Sequence, residues 1–245
     1  MDLKELESGV NPEMHWYYQS KKVPMIRFFE EVLAQTEDSL TVIDFGAGSG
    51  FFALELNKLY SSKIKEIFLV DINYNQDEIE QSANAKVKKV LEVPENVQNA
   101  VVLMMDVLEH VPDDKMILKD VLDRLGEDCW YFITVPAFKW LWSNHDEYLG
   151  HYRRYTRSML TRLLKSTGIV PQKRYYIYGA ILPLVWLFRK VYGLIEKKGE
   201  PASSNMSLTP GVLNTTLKWF NIFEMNFRKL NIFGGVTCVA EGKIK

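Results

Sequence analysis

Short apolar runs alternate along this chain with stretches in which apolar residues recur every third or fourth position. The first pattern is typical of buried strands and the second of amphipathic helices. Strand and helix follow one another repeatedly, which predicts an α/β protein built on a doubly wound, seven-stranded and mainly parallel sheet. The predicted strands are 41–44, 66–70, 87–93, 100–105, 129–135, 173–178 and 236–240.

The two ends of the pattern predict additions to this sheet within one domain, residues 1–245. Residues 1–35 are predicted to form an N-terminal lid and helix, and the helix should begin at Pro24 because proline suits a first helical turn. About 55 residues separate the last two strands, and their apolar spacing predicts a helical insertion over 180–233. Its apolar run Ile177–Phe188 is shorter than the roughly 20 residues that span a bilayer.

Composition narrows the classes of function and location. The formal net charge of −1 gives no reason to expect a nucleic-acid partner. Cys129 and Cys238 both lie in apolar runs, which favours buried, reduced thiols over a disulfide scaffold. The charged N-terminus shows no apolar secretory signal, so we expect a cytoplasmic protein.

The first predicted strand ends in a glycine-rich turn with the pattern D-x-G-x-G-x-G, from Asp44 to Gly50. Glycines let the backbone adopt positive φ and let a ligand approach closely. The dinucleotide fingerprint needs a small residue where this chain has Phe51. The pattern instead resembles the first motif of class I S-adenosylmethionine (SAM)-dependent methyltransferases, a resemblance that implies SAM as cofactor and an antiparallel seventh strand.

Two further strand ends fit this resemblance. Asp71 ends the second strand, 21 residues after Gly50, where an acid can accept hydrogen bonds from ribose hydroxyls, and Ile72 would pack against the adenine. The fourth strand ends in D-V-L-E-H-V, which is similar to the fourth motif of many small-molecule methyltransferases and should place Glu109 and His110 at the cleft. The predicted cofactor-binding residues are Asp44, Gly46, Ala47, Gly48, Gly50, Asp71, Ile72, Asp106 and Val107.

Residues 137–155 mix aromatic and charged side chains, a composition typical of sites. In the methyltransferase fold this segment follows the fifth strand and faces the acceptor. A general base is expected here from His145 or His151, tuned by Asp146, while Arg153 and Arg154 would bind an acceptor carboxylate or phosphate. Alternatively, these residues pair with one another and rigidify the loop. His110 is either catalytic or a residue that holds the loop. A metal site from His145, Asp146 and His151 is not expected.

The resemblance therefore implies SAM-dependent methyl transfer to a small-molecule or a lipid- or glycan-linked acceptor. Two alternatives remain, a non-catalytic SAM-binding protein and a nicotinamide-dependent oxidoreductase, and Phe51 disfavours the second. The insertion is expected to pack as a helical hairpin over the acceptor cleft. The alternative is that residues 177–230 form a surface that meets the inner face of a membrane or a lipid-linked acceptor.

Overall fold

The computed structural model describes residues 10–195 and 211–244, which contain a seven-stranded sheet flanked by helices. The strands are β1 Leu40–Phe45, β2 Ile64–Val70, β3 Val87–Val90, β4 Ala100–Met105, β5 Cys129–Pro136, β6 Lys173–Ile177 and β7 Thr237–Lys243. The helices are α1 Trp16–Leu33, α2 Phe51–Tyr60, α3 Gln76–Ser82, α4 Asp114–Asp123, α5 Asn144–Leu149, α6 Arg157–Ser166, α7 Leu182–Ile195 and α8 Gly211–Glu224. Short 3-10 turns cover Ser61–Lys63, Leu108–His110, Lys139–Leu141 and Met225–Leu230.

The strand order is β3-β2-β1-β4-β5-β7-β6, and only β7 runs antiparallel to its neighbours. The chain therefore reverses its winding between β1 and β4, whose carboxyl ends lie side by side. Ligands of open α/β sheets bind at such a switch point. The doubly wound fold and the antiparallel last strand are both confirmed.

Apolar side chains on both faces of the sheet hold the layers together. All six residues of β4 are buried, as expected for a central strand covered on both sides. Val101 and Phe132 pack with Phe28 and Leu56 on one face, whereas Val102 and other β4 side chains pack against α4 and α6 on the other. The strand ends that carry the predicted site are thus fixed by a continuous core.

Helix α1 begins eight residues before the predicted start, and Pro24 lies inside it. Aromatic contacts explain the longer helix: Trp16 and Tyr17 pack on Tyr178, and Tyr18 packs on Phe51. His15 caps the helix by accepting a hydrogen bond from the Tyr17 amide. Tertiary packing therefore outweighs the cost of a proline in a helix interior.

The insertion packs against the N-terminal helix. The side chain of Asn214 on α8 accepts a hydrogen bond from the Trp16 amide and donates one to the Met14 carbonyl. Arg27 on α1 donates to the Met225 carbonyl. Residues 196–210 of the predicted insertion and 1–9 of the predicted lid lie outside the described residues. No helix in the described ranges is both long and apolar enough to cross a membrane.

Candidate active site

The glycine turn between β1 and α2 adopts the positive φ values that its sequence predicts. Gly46, Gly48 and Gly50 have φ values of +71°, +54° and +76°. A Cβ atom on Gly46 would lie 2.6 Å from Cγ2 of Val107. The turn therefore needs glycine both for its backbone angles and for close contact with the segment after β4.

Asp71 joins the end of β2 to the same turn. Its Oδ2 accepts a hydrogen bond of 2.8 Å from the Gly48 amide, and its Oδ1 accepts two from Asn73. The Tyr74 hydroxyl donates to the Gly48 carbonyl at 2.7 Å. An ionised carboxylate has about four acceptor positions. The hydrogen bonds from Gly48 and Asn73 fill three of those on Asp71 and leave one for a ribose hydroxyl. The neighbouring Ile72 side chain is 85% exposed, and its contact with an adenine stays a prediction.

Asp106, the third acid in the predicted cofactor set, is held by protein groups. Thr134 donates to its Oδ1 at 2.8 Å, and Tyr17 donates to its Oδ2 at 3.1 Å. Lys21 forms an ion pair with the same Oδ2, and the Lys21 side chain is fully buried. Helix α1 therefore reaches across to the end of β4. A cofactor group that bonds to the Asp106 carboxylate would have to displace Tyr17 or Lys21.

These contacts form a cradle that fits SAM. The buried Asp44 precedes a turn in which three alternate positions are glycines without side chains, and Asp71 lies beside this turn. The turn lacks the small residue at position 51 with which a dinucleotide fold packs its helix closely on the strand. Here Phe51 is buried and packs on Tyr18. Gly46, Gly48, Gly50 and Asp71 are therefore the residues that would hold SAM, and when bound SAM supplies a methyl group on a positively charged sulfur.

Asp146 organises the segment that was expected to face the acceptor. Its Oδ1 lies 2.8 Å from Nδ1 of His151 and 2.7 Å from Nε of Arg154. Its Oδ2 accepts from Nη2 of Arg154 at 3.1 Å and from the Ser143 amide at 3.0 Å. Burial alone would raise the pKa of Asp146, but the His151 hydrogen bond and the Arg154 charge hold it far below its usual value. Asp146 is therefore an ionised, fully buried anchor.

Arg154 does not have the surroundings of an acceptor-binding residue. Its side chain is buried, and its guanidinium is bound to Asp146 and to the Ala137 carbonyl. Arg153 donates to the Val111 carbonyl and forms an ion pair with Asp114 at 3.1 Å. Both arginines therefore fit the alternative in which the charged residues of this segment pair and rigidify the loop. The predicted anion-binding role of Arg154 has no geometric support.

Arg189, which the sequence analysis did not select, also approaches Asp146. Its Nη1 lies 3.5 Å from Oδ2 of Asp146, and it donates to the Leu141 carbonyl. Burial, followed by the charge of Arg154, lowers the Arg189 pKa to about 10. Helix α7 is thereby held against residues 137–155. Burial, together with the Arg189 charge, also lowers the His145 pKa to about 4, which makes His145 a weak base at neutral pH.

His151 faces two residues from the end of β4, namely Glu109 and His110. The ring centres of His110 and His151 are 4.6 Å apart in an edge-to-face arrangement. One potential metal-ligand atom from each of the three residues lies within 4.8 Å of the others. Burial raises the pKa of Glu109, which is 0% exposed, to about 8. These three residues could hold a metal ion, and they differ from the set His145, Asp146 and His151 that was considered from the sequence.

Backbone and side-chain bonds fasten the two segments together. The Tyr152 amide donates to the Glu109 carbonyl at 2.7 Å, and the buried Tyr155 hydroxyl donates to the Leu108 carbonyl at 3.1 Å. Val107, in turn, touches Gly46 of the cofactor turn. Residues 137–155, the end of β4 and the glycine turn therefore lie next to one another at the carboxyl edge of the sheet.

Solved structures with this fold include chains described as candidate methyltransferases. A chain of the Haloferax volcanii complex between the Trm112 methyltransferase activator and a candidate methyltransferase is 13% identical, with a TM-score of 0.52 over 89% of this chain and 88% of that one. A Galdieria sulphuraria protein described as a sarcosine dimethylglycine methyltransferase is 15% identical, with a TM-score of 0.52 over 90% and 86%. At these identities the likeness concerns the fold alone. No curated protein gives a significant sequence match.

The sequence itself matches a family model described as a methyltransferase domain, over residues 16–171. This range is more than half of the chain and contains the glycine turn, Asp71, the end of β4 and residues 137–155. The match favours the methyltransferase interpretation over the nicotinamide-dependent alternative. This protein belongs to the methyltransferase domain family, and it is an enzyme that uses SAM as its methyl donor.

Proposed function

We propose that this enzyme methylates an oxygen, such as a hydroxyl group, of an acceptor bound beside His151. The acceptor is a small molecule or a group linked to a lipid or glycan. The proposal extends the family assignment, which concerns methyl transfer from SAM in general, to the part of the site that activates the acceptor. Asp44, Gly46, Ala47, Gly48, Gly50, Asp71, Ile72, Asp106 and Val107 are the proposed cofactor side of the site.

The observation that carries this proposal is the buried Asp146–His151 pair. Because Nδ1 of His151 donates to an ionised carboxylate, the proton of the neutral ring is placed on Nδ1 and Nε2 keeps its lone pair. Nε2 is buried and has no hydrogen-bond partner among the described residues. An imidazole held in this way is suited to activating a hydroxyl group.

The step balances without any other reactant. The acceptor oxygen attacks the methyl carbon of SAM while the carbon–sulfur bond breaks, and the electron pair of that bond stays on sulfur in S-adenosylhomocysteine. The proton of the acceptor passes to the Nε2 side of His151 and then to solvent. His110 borders this position, while Asp146 and Arg154 act through His151 by fixing its orientation.

The test is methyl transfer from labelled SAM into fractionated extracts of cells that contain the protein. Label in the water-soluble or organic-soluble fraction identifies the acceptor class. We expect His151→Ala to bind SAM as the unchanged protein does and to lose about 10²-fold or more in transfer. Tyr152→Phe is the control, because Tyr152 is exposed and contributes its backbone amide to the site. Full transfer by His151→Ala would refute the proposal.

An exposed apolar surface favours a lipid-linked acceptor. On the described parts of α7, α8 and the turn after α8, large apolar side chains face solvent beside Lys190 and Lys218. Aromatic residues with neighbouring lysines are typical of surfaces that lie in a membrane interface. The most exposed of these side chains are Leu184, Leu187, Phe188, Val212, Trp219, Phe223, Phe227 and Leu230. We therefore propose that residues 177–230 touch the inner membrane face of a cytoplasmic enzyme.

Flotation with anionic phospholipid vesicles tests this surface. We expect the protein to float with the vesicles, and Trp219→Ser with Phe223→Ser to reduce the floated fraction. Met116→Ser is the matched control, because Met116 is an exposed apolar residue on α4, away from the insertion. If the unchanged protein stays at the bottom of the gradient without vesicles, the proposed membrane contact is wrong and a water-soluble acceptor is favoured.

A further inference from the structure

The cluster of Glu109, His110 and His151 has the composition of a metal site. We propose that these three side chains bind a first-row divalent transition-metal ion, for which Zn²⁺ is the best match. Two imidazole nitrogens and one carboxylate oxygen form a donor set that catalytic zinc sites use. Mg²⁺ is a poor match, because it prefers oxygen ligands.

Glu109 provides the strongest reason to place a cation here. Its side chain is fully buried, and neither carboxylate oxygen has a hydrogen-bond partner on another described residue. Burying an unpaired carboxyl group is costly, so buried carboxylates are normally paired or bound to a metal. The arrangement of Glu109 is explained if a cation occupies the space that it shares with the two histidines.

The surroundings of His151 are those of a metal-ligating histidine. Such histidines usually donate their second ring N–H to a carboxylate, which fixes the ring and leaves the other nitrogen for the metal. Nδ1 of His151 lies 2.8 Å from Asp146, and Nε2 is the nitrogen without a partner among the described residues. Arg154 holds Asp146 through two hydrogen bonds, so the ring has little freedom to turn.

The spacing allows binding after a small contraction. The three ligand atoms lie within 4.8 Å of one another, whereas ligands of a tetrahedral Zn²⁺ lie about 3.3 Å apart at bond lengths of about 2.0 Å. Rotation of the partly exposed His110 could bring the atoms together. Three protein ligands leave a fourth coordination position open, as in catalytic zinc sites.

This inference rests on the proposed function, because the open position would receive the acceptor oxygen. Coordination to a divalent cation lowers the pKa of a bound hydroxyl group. The metal-bound acceptor would release its proton to solvent and then attack the methyl group, and the metal would keep its oxidation state. His151 would then activate the acceptor as a metal ligand rather than by taking the proton itself.

Metal binding can be measured without an acceptor. The full chain, freed of metal with a chelator, is titrated with Zn²⁺ in a calorimeter and with Co²⁺ in a spectrophotometer. We expect a single equivalent of each to bind, and Mg²⁺ to leave the Co²⁺ spectrum unchanged. Glu109→Gln, His110→Ala and His151→Ala should each weaken Zn²⁺ binding by about 10-fold or more, and Asp146→Asn by about 10- to 100-fold. Glu127→Gln is the matched control, because Glu127 is an exposed carboxylate outside the cluster, and it should bind Zn²⁺ normally.

Circular dichroism identifies any variant that fails to fold. Only the Zn²⁺ affinities of the folded variants are then compared, and the conservative Glu109→Gln variant is included for this purpose. The inference is overturned if the unchanged protein binds no Zn²⁺, or if folded ligand variants bind it as tightly as Glu127→Gln does. Should Zn²⁺ fail to bind while His151→Ala still reduces methyl transfer, the metal is wrong and the proposed function stands. Unchanged transfer by His151→Ala would instead refute the proposed function, whatever the metal result.

Discussion

Nδ1 of His151 lies 2.8 Å from Oδ1 of Asp146, and the same oxygen accepts a hydrogen bond from Arg154. One buried carboxylate therefore serves two purposes. It compensates the charge of an arginine, and it fixes the ring of a histidine that lies close to Glu109 and His110. The loop that was expected to face the acceptor owes its shape to this residue.

Removal of the Asp146 carboxylate should strongly destabilise the protein. Asp146→Ala would leave the buried Arg154 and the partly buried Arg189 without their carboxylate, and breaking a buried ion pair typically costs about 3–5 kcal/mol. Asp120→Ala is the matched control, because Asp120 pairs with Arg124 at the surface and should contribute no more than about 1 kcal/mol. Urea unfolding of both variants measures the difference. Equal losses would show that the Asp146 network is not structural.

Asp71 should be needed for SAM binding. Asp71→Ala removes the acceptor of the Gly48 amide and the proposed ribose contact, and a hydrogen bond to a charged group contributes about 1.5–3 kcal/mol. We expect affinity for SAM to fall by about 10-fold or more in calorimetric titration. The exposed Asp77 on α3 provides a control, and Asp77→Ala should bind SAM normally. Tight binding by Asp71→Ala would remove this residue from the cofactor site.

Gly46 and Gly168 allow backbone strain to be separated from close contact. Both have positive φ, +71° and +89°, but a Cβ on Gly46 would meet Val107 at 2.6 Å, whereas one on Gly168 meets nothing within 4 Å. Gly168→Ala should therefore cost about 1 kcal/mol in stability from strain alone. Gly46→Ala should cost more and should also weaken SAM binding. Similar results for the two variants in unfolding and calorimetry would argue against the close approach at the cofactor turn.

His145 should make stability fall in mild acid. Folding lowers its pKa from 6.5 to about 4, mainly through burial, so between these values the unfolded chain binds a proton that the folded protein does not. Stability contributed in this way is present above about pH 6.5 and is lost as the pH falls towards 4. The slope is at most about 1.4 kcal/mol per pH unit.

His145→Gln isolates this effect from the titration of other groups. The free energy of unfolding, measured in urea at about pH 7 and about pH 5, should fall less in the variant than in the unchanged protein. A variant that loses as much stability as the unchanged protein would show that His145 titrates normally in the folded state.

Local sequence predicted the backbone turn at which SAM is proposed to bind. The glycine turn and the acid after β2 are encoded by residues close to one another in the chain, because strand ends and turns require particular residue types. The structure places Gly48 and Asp71 in direct contact, and it places Val107 against Gly46. Whether they bind SAM as predicted is for the titrations to decide.

Contacts between distant parts of the chain could not be predicted in the same way. Lys21 and Asp106 are 85 positions apart, and Arg189 reaches Asp146 from a helix of the insertion. The predicted start of α1 was wrong for a related reason, because Trp16 and Tyr17 depend on the distant Tyr178 for their packing. Glu109 was placed at the cleft by its motif, but its complete burial follows only from the folded loop around it.

A crystal structure with S-adenosylhomocysteine bound would show directly whether SAM and the acceptor meet beside His151. We expect the ligand to lie on the Gly46–Gly50 turn with its ribose at Asp71, and the open side of its sulfur to face the space beside Nε2 of His151. Zn²⁺ added to the same crystals would show whether Glu109, His110 and His151 close on a metal there. A sulfur directed away from His151, with protein filling the space between them, would refute the proposed arrangement.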